Sequence, residues 1–160
     1  MKAHFAIRPA VLADLDRILE IENASFGPES YDRKLFAYYL RRCPELFLVA
    51  CRRRVAGYMI TCMRGDRSNA RAELVSVAID PALRQAGAAS ALLDGTLRRL
   101  RRRGATRLHL VVRRANYAAQ AFYKKYQFRP LRVLRRYYED GGDGIAMARP
   151  VSLPRRGRPG

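Results

Sequence analysis

Apolar and polar positions along the first third of the chain predict a strand followed by two helices. Residues 5–8 alternate like a short strand, and Pro9 ends it by removing a backbone donor. Apolar spacings of three and four predict an amphipathic helix over about residues 13–24. The positions at these spacings are Leu12, Leu15, Ile18, Leu19 and Glu22. A second helix is predicted over residues 31–42, where Pro44 terminates it.

The middle of the chain predicts three strands and a helix. The continuous apolar run 46–51 is typical of a strand covered on both faces, and residues 55–62 return as its hairpin partner. Residues 72–79 predict another strand. Residues 87–103 carry apolar side chains on one side and arginines largely on the other, which indicates an amphipathic helix that ends at Gly104.

The last third predicts a strand, a helix and a final antiparallel pair. The strand covers residues 106–113, and Asn116 opens a helix that runs to about residue 126. The pair covers residues 128–138 and 144–149, around the Asp140-Gly141-Gly142 turn. The complete order predicts an α/β fold, with a mixed sheet and helices on both faces.

Length and composition favour one compact domain. The chain has 160 residues, of which 49% are hydrophobic, enough for one substantial core. We expect a domain over residues 1–152 and a disordered basic tail over 153–160, because residues 154–160 offer no apolar side chain. No apolar run approaches the roughly 20 residues that cross a bilayer. The sequence therefore predicts a soluble, cytoplasmic protein.

The cysteines do not indicate a metal site. Cys43, Cys51 and Cys62 are odd in number and form no Cys-x-x-Cys pair, and the chain has two histidines. We expect reduced structural thiols.

The charge balance leaves two interpretations open. Lys and Arg number 32 against 14 acidic residues, a net charge of +18 that can attract acidic peptides, nucleic acid or ribosomes. Of the basic residues, 28 are Arg and 4 are Lys. A genome rich in G and C would also produce this bias. The charge alone therefore does not distinguish a polyanion-binding surface from a bias in composition.

A short turn carries the first candidate chemistry. The segment 84–89, Arg-Gln-Ala-Gly-Ala-Ala, lies between a predicted strand and a predicted helix, where free N–H groups and the helix dipole favour an anion. Gly87 removes the side chain that would keep a phosphate from the backbone, and Arg84 can add a charged contact. Taken alone, such a glycine also fits an ordinary turn.

The longer pattern identifies a family. Residues 77–93, Val-Ala-Ile-Asp-Pro-Ala-Leu-Arg-Gln-Ala-Gly-Ala-Ala-Ser-Ala-Leu-Leu, resemble the acetyl-coenzyme A (acetyl-CoA) signature of the GNAT superfamily, Arg/Gln-x-x-Gly-x-Gly/Ala after a strand. Residues 108–128 are similar to its strand, asparagine and Ala-x-x-x-Tyr-x-x-x-x-Phe helix. Residues 3–26, Arg136-Tyr137-Tyr138 and 143–147 resemble RimI-like protein N-terminal acetyltransferases. The resemblance implies a single-domain, mostly antiparallel sheet.

The same resemblance implies how acetyl-CoA is held. The backbone of residues 77–79 would pair with the pantetheine arm, residues 84–90 would hold the pyrophosphate, and Asn116 would contact the acyl end. The implied cofactor-binding residues are Val77, Ala78, Ile79, Arg84, Gln85, Ala86, Gly87, Ala88, Ala89, Ser90, Asn116 and Tyr123. By residue type alone, Asn116 is also a good helix N-cap.

Acetyl transfer to an amine needs a neutral nucleophile and a proton for the departing sulfur, without a metal or a covalent intermediate. Tyr123 stands where the resemblance places the general acid. Its alternative role is that of a buried aromatic ring packed with Phe122 and Tyr126.

The resemblance leaves the general base open, because Val111 occupies the position where RimI-like enzymes carry a glutamate. Glu73 matches another carboxylate position of the superfamily. Alternation along Glu73, Val75, Val77 and Ile79 predicts one shared face, so partial burial would raise the pKa of Glu73. Glu73 could instead be a surface acid paired with Arg71 or Arg113. His109 is a third candidate, since it shares a face with Val111.

The acceptor side rests on aromatic residues. Phe26, Tyr31, Tyr137 and Tyr138, with Glu29, match regions that line the peptide groove of N-terminal acetyltransferases, although aromatic pairs in hairpins are also ordinary core. The leading hypothesis is direct acetyl transfer to a protein N-terminal α-amine, on a ribosomal protein for example. The alternatives are acetylation of a small amine, which the positive charge disfavours, and a non-catalytic CoA-binding module on ribosomes or nucleic acid.

Overall fold

The computed structural model describes residues 4–152 and contains the predicted order of elements. The strands are β1 (Ala6–Pro9), β2 (Phe47–Arg52), β3 (Arg54–Arg64), β4 (Arg71–Ile79), β5 (Arg107–Arg113), β6 (Arg129–Leu134) and β7 (Gly144–Pro150). The helices are α1 (Leu15–Phe26), α2 (Arg33–Arg42), α3 (Ala88–Arg102) and α4 (Tyr117–Lys125). The predicted basic tail, residues 153–160, lies outside the described residues.

One predicted helix start has a different geometry, and one predicted strand end differs by more than two residues. The start of the first predicted helix is a 3-10 turn, Leu12–Asp14, in which the Asp14 carboxylate accepts from the Val11 N–H at 2.8 Å. The predicted strand 128–138 ends early, at Leu134, because Arg136 takes a left-handed φ of 51° that turns the chain away. Residues 135–143 therefore form a long loop between β6 and β7.

The seven strands form one sheet in the order β1-β2-β3-β4-β5-β7-β6. Every neighbouring pair is antiparallel except β4 and β5, which are parallel. Helix α3 connects these two strands, as a parallel connection requires. The predicted mixed and mostly antiparallel sheet is confirmed.

The helices cover both faces of the sheet, as predicted. On one face, buried side chains of α3 and α4, such as Leu92, Leu97 and Tyr123, pack on Leu74 and Leu110. On the other face, α1 and α2 pack on the first half of the sheet. The buried residues there include Leu15, Ile18, Phe36, Phe47 and Tyr58. Two apolar layers therefore hold a sheet in which β2 and β3 are buried on both sides.

A disulfide between Cys43 and Cys62 corrects the prediction of reduced thiols; Cys51 is free. Cys43 follows α2 and Cys62 lies near the end of β3, and their Cα atoms are 5.4 Å apart. The sequence could not reveal the pair, because only the packing of α2 on the sheet brings the two positions together.

We expect reduction of this disulfide to lower the free energy of unfolding by about 3 kcal/mol, since it closes a loop of roughly 20 residues. Denaturant unfolding with and without reductant measures the change. Alkylation of unreduced, unfolded protein should label one cysteine, and alkylation after reduction should label three. Three labels without reduction would show that the bond does not form.

No helix between residues 4 and 152 has the length and apolarity needed to cross a bilayer. Within the same range, no three His, Cys, Asp or Glu side chains are grouped as metal ligands.

Candidate functional site

The parallel strands β4 and β5 separate partway along their length and leave a split in the sheet. They pair only at Arg71 with Arg107, Ala72 with Leu108, and Glu73 with His109. Residues 77–79 of β4 still pair with β3 on their other side. Their second edge therefore has no strand partner in β5, and its backbone groups can accept an added extended chain.

The turn after β4 forms a cradle of free backbone N–H groups at the start of α3. Gln85 and Gly87 both have left-handed φ angles, 65° and 99°, and a Cβ on Gly87 would meet no atom within 4 Å. The first bond of the helix runs from the Ala91 N–H to the Gly87 carbonyl, which leaves the N–H groups of residues 88–90 without helical acceptors. Arg84 is exposed beside them. The predicted segment 84–90 thus has the geometry of a phosphate site.

Two other predicted cofactor residues also hold local structure. The Asn116 side chain accepts from the Ala119 N–H at 3.1 Å and caps α4, which is the role that its residue type alone suggests. The Ser90 hydroxyl is hydrogen-bonded to the Tyr126 hydroxyl and so joins the start of α3 to the end of α4.

Tyr123 lies in α4 with 7% of its surface exposed. Its ring packs against Phe122 and Phe128, with centroids 5.5 and 5.4 Å away, so the packing role is real. Burial, with a smaller contribution from Tyr138, raises the pKa of the Tyr123 phenol to about 12. Among residues 4–152, no partner is found for its hydroxyl within hydrogen-bond distance, so this proton is available to a ligand.

A β-bulge corrects the predicted face of Glu73. Ile60 pairs with Ser76 but Thr61 pairs with Leu74, so Val75 has no partner in β3. Such a bulge reverses the alternation of side chains. Val77 and Ile79 consequently pack on the α3 side, together with Leu74, and Glu73 points to the opposite face. The predicted sharing of one face by Glu73, Val77 and Ile79 is wrong.

The partner predicted for Glu73 is also different. Its carboxylate accepts from Arg64 Nε at 3.1 Å, rather than from Arg71 or Arg113, and its side chain is 42% exposed. Glu73 lines a cavity together with His109 and Val111. Burial lowers the pKa of His109, and the charges of Arg107 and Arg71 lower it further. The two candidate bases therefore lie side by side where the strands part.

The aromatic residues predicted for the acceptor groove lie mainly at the surface. Tyr137 is 51% exposed and Phe26 40%, so neither belongs to the core. The rings of Tyr137 and Tyr138 meet edge to face at 4.9 Å, and Tyr31 packs on Phe36 at 5.9 Å. The loops that follow α1 and β6 thus present aromatic side chains to solvent.

Arg113 links these two loops, and the sequence did not indicate it. Its guanidinium donates to both carboxylate oxygens of Glu29, at 2.8 and 2.9 Å, and to Asp140 at 3.0 Å. It also lies 4.0 Å above the centre of the Tyr138 ring. These contacts hold both loops in place. Because Arg113 is the last residue of β5, the loops are held next to the split between β4 and β5.

Glu22 is a second functional candidate that sequence reasoning missed. It is 1% exposed in α1 and accepts from the Tyr31 N–H at 3.0 Å and from the Tyr58 hydroxyl. The Tyr58 hydroxyl also lies 2.9 Å from Ser76 Oγ, beside the β4 bulge. The sequence did contain a signal for Glu22, because it is an acid among the apolar positions of a predicted helix. A carboxylate buried at such a position needs hydrogen-bond partners.

Comparison with known proteins agrees with this geometry. Residues 13–128 match the model of the acetyltransferase (GNAT) family. The chain is 33% identical to an N-alpha-acetyltransferase of Sulfolobus acidocaldarius, over 94% of this chain and 95% of that one. It is 30% identical to a putative ribosomal protein bS18-alanine N-acetyltransferase of Bacillus subtilis, over 89% and 93%.

Among solved structures, Ard1 from Thermoplasma volcanium superposes with a TM-score of 0.87 and is 29% identical, over 94% of this chain and all of that one. The family match covers more than half of the chain, and it includes β4, the cradle and α4, which form the split and its surroundings. The chain therefore belongs to the acetyltransferase (GNAT) family.

Proposed function

We propose that this protein transfers an acetyl group from acetyl-CoA to the N-terminal α-amine of a protein, directly and in a ternary complex. The observation that carries the proposal is the split between β4 and β5, which opens at Glu73 and lies beside the cradle before α3. The relatives named N-alpha-acetyltransferase support an α-amine as the acceptor.

The residues at the split fit the cofactor. The free edge of residues 77–79 would hold the pantetheine arm, and the cradle 84–90 would hold the pyrophosphate. Asn116 and Tyr123 would complete the site near the acyl end. Acetyl-CoA would supply the acetyl group as a thioester, and side chains of this chain would supply the proton donor and the proton acceptor.

Two side chains would carry the proton transfers. Tyr123, whose hydroxyl has no other partner among residues 4–152, would donate to the departing sulfur. Glu73 would accept the proton of the amine, directly or through one water, since it lines the cavity at the mouth of the split and Val111 cannot accept. His109 is the alternative acceptor.

Single substitutions separate the two bases. Burial and the charges of Arg107 and Arg71 hold the pKa of His109 below its ordinary value, which favours the neutral imidazole that can accept a proton. We expect Glu73→Gln to lower kcat/KM at pH 7 by about 10²-fold, because an amide cannot take the proton of the amine. His109→Gln should leave kcat/KM close to the wild-type value. If His109→Gln causes the large loss and Glu73→Gln does not, His109 is the base.

Arg113 should determine acceptor binding. Because it fixes both loops of the groove, Arg113→Met is expected to raise the KM for an acceptor peptide by about tenfold and to leave the KM for acetyl-CoA nearly unchanged. The adjacent Arg114 is the control, since its contact with Asp143 is 3.3 Å long and exposed. Equal effects of Arg113→Met and Arg114→Met would contradict a role in the groove.

Incubation with acetyl-CoA and a panel of N-terminal peptides, with polyamines in parallel, tests the function itself. Mass spectrometry should locate the acetyl group on the α-amine. Turnover of polyamines alone would show a small-molecule enzyme, and CoA binding without any turnover would show a non-catalytic module.

The proposal extends to the setting of the enzyme. The domain would span residues 1–152, around the family match to 13–128. The +18 charge would bring it to ribosomes or another polyanion in the cytoplasm, where acceptor N-termini emerge. Salt-sensitive co-sedimentation with ribosomes tests this association.

A further inference from the structure

A cavity of about 500 Å³ lies on the sheet face opposite α3, and three arginines stand among the apolar side chains that line it. Arg64, Arg71 and Arg132 project from three different strands around it. Glu73 is the one acid in its lining, and this carboxylate already accepts from Arg64. The cavity thus has more positive charge than its own acid neutralises.

The register of the strands places further like charges side by side. Arg64 pairs with Arg71 across β3 and β4, and Arg71 pairs with Arg107 across β4 and β5. Like charges directly opposite one another destabilise a sheet. Within the described part of the chain, no ion pair is found for Arg71, Arg107 or Arg132. A bound anion would remove this repulsion.

His109, which also lines the cavity, reports the same excess of positive charge. Beyond the effect of burial, Arg107, Arg71 and Arg132 each lower its pKa, and Glu73 acts in the opposite direction. Three cationic contributions against one anionic contribution indicate that the local potential favours a negative group.

The cavity is continuous with the proposed reaction centre. Glu73 and His109 form the last pair before the strands part, and both belong to the lining. Val111 also lines the cavity and lies near the loop of the acceptor groove. Both Val111 and Tyr137 flank Gly144, because a Cβ added to Gly144 would be 2.7 Å from Val111 Cγ1 and 3.4 Å from Tyr137 Cβ. Arg71 is two strand residues from Glu73, or about 7 Å. Side chains near the acceptor's reacting amine can therefore reach the arginines.

Resting on the proposed function, we propose that this cavity binds carboxylate side chains of the acceptor polypeptide in the first few residues after its N-terminus, so that the enzyme selects acidic acceptors. Arginine matches a carboxylate with two parallel hydrogen bonds. A single-stranded nucleic acid fits less well, because the lining contains no Phe, Tyr or Trp ring on which bases would stack.

The test compares two acceptor peptides that differ only in charge. One carries Asp and Glu at its second to fourth positions, and the other carries Asn and Gln there. We expect wild-type kcat/KM to favour the acidic peptide by about tenfold at low salt, and the preference to shrink as salt rises. Fluorescence anisotropy of labelled peptides should show the same difference in binding.

Paired variants assign the preference to the cavity. Arg71→Ser combined with Arg132→Ser should reduce the preference to about twofold or less. Arg98→Ser combined with Arg102→Ser is the matched control, because it removes the same charge from the exposed side of α3. The control should retain the wild-type preference.

The outcomes separate this inference from the function on which it rests. If neither peptide is acetylated, the proposed function fails. If both are acetylated equally well, the function stands and the acidic selectivity is refuted. Selectivity that survives in the Arg71 and Arg132 double variant also overturns it, as does stronger competition by a short RNA than by an equally charged acidic peptide.

Discussion

Tyr123→Phe is expected to lower kcat for acetyl transfer by about 10²- to 10³-fold, with little change in the KM for acetyl-CoA. The substitution removes one hydroxyl and keeps the ring that packs against Phe122 and Phe128. No partner for that hydroxyl is found among residues 4–152, so its loss should change the melting temperature by no more than a few degrees. Steady-state kinetics and thermal unfolding measure the two effects separately.

The pH profile gives a second check on Tyr123. Its pKa is raised to about 12, so the phenol is protonated and able to donate throughout pH 6–10. The wild-type enzyme should therefore show no loss of kcat from this group as pH rises to 10. Tyr117→Phe is the control, since Tyr117 lies in the same helix with its side chain in solvent. An unchanged kcat in Tyr123→Phe would limit Tyr123 to packing.

The parts of the fold that could be predicted from the sequence are those that depend on residues close together in the chain. The spacing of apolar residues, continuous apolar runs and residues that begin or end helices together predicted every strand and α-helix, because these signals lie within each element. The segment 84–90 was predicted because its chemistry is contiguous in sequence: Gly87 needs a left-handed φ, and the N–H groups belong to the next residues. Such a site depends little on the rest of the molecule.

The parts that could not be predicted depend on register and on distant contacts. The bulge at Val75 has no proline or glycine to mark it, yet it moves Glu73 to the face opposite Val77. Arg113 reaches Glu29, which is 84 positions away, and Cys43 reaches Cys62 through the packing of α2. No local pattern contains these pairings, since they appear only when the strands are aligned.

The buried acid in α1 connects the loop after α1 with the strand at the split. Glu22 holds the Tyr31 backbone at the acceptor loop, and Tyr58 extends the contact to Ser76 beside the bulge. A buried network of this kind is rigid only while every member has its partner. The same network therefore fixes the loop after α1, which is one wall of the proposed acceptor groove, and the strand that forms the edge of the split.

Gly87→Asp is expected to weaken CoA binding by about 100-fold or more, measured by calorimetry or as the KM for acetyl-CoA. Aspartate tolerates the left-handed φ of 99° at Gly87 better than most residues, so the backbone can keep its turn. The loss then comes from a carboxylate placed where the pyrophosphate would bind, at a cost of several kcal/mol. Gly87→Asn keeps the shape without the charge and should cost about tenfold or less.

Gly104→Asp is the matched control for this prediction. Gly104 also has a left-handed φ, 76°, and open space around its Cβ, but it lies at the opposite end of α3. We expect Gly104→Asp to leave CoA affinity within about twofold of wild type. If Gly87→Asp and Gly104→Asp weaken CoA binding equally, the loss comes from the lower net charge of the protein and not from the position of the carboxylate. If neither does, the phosphates bind elsewhere, and the turn before α3 is an ordinary one.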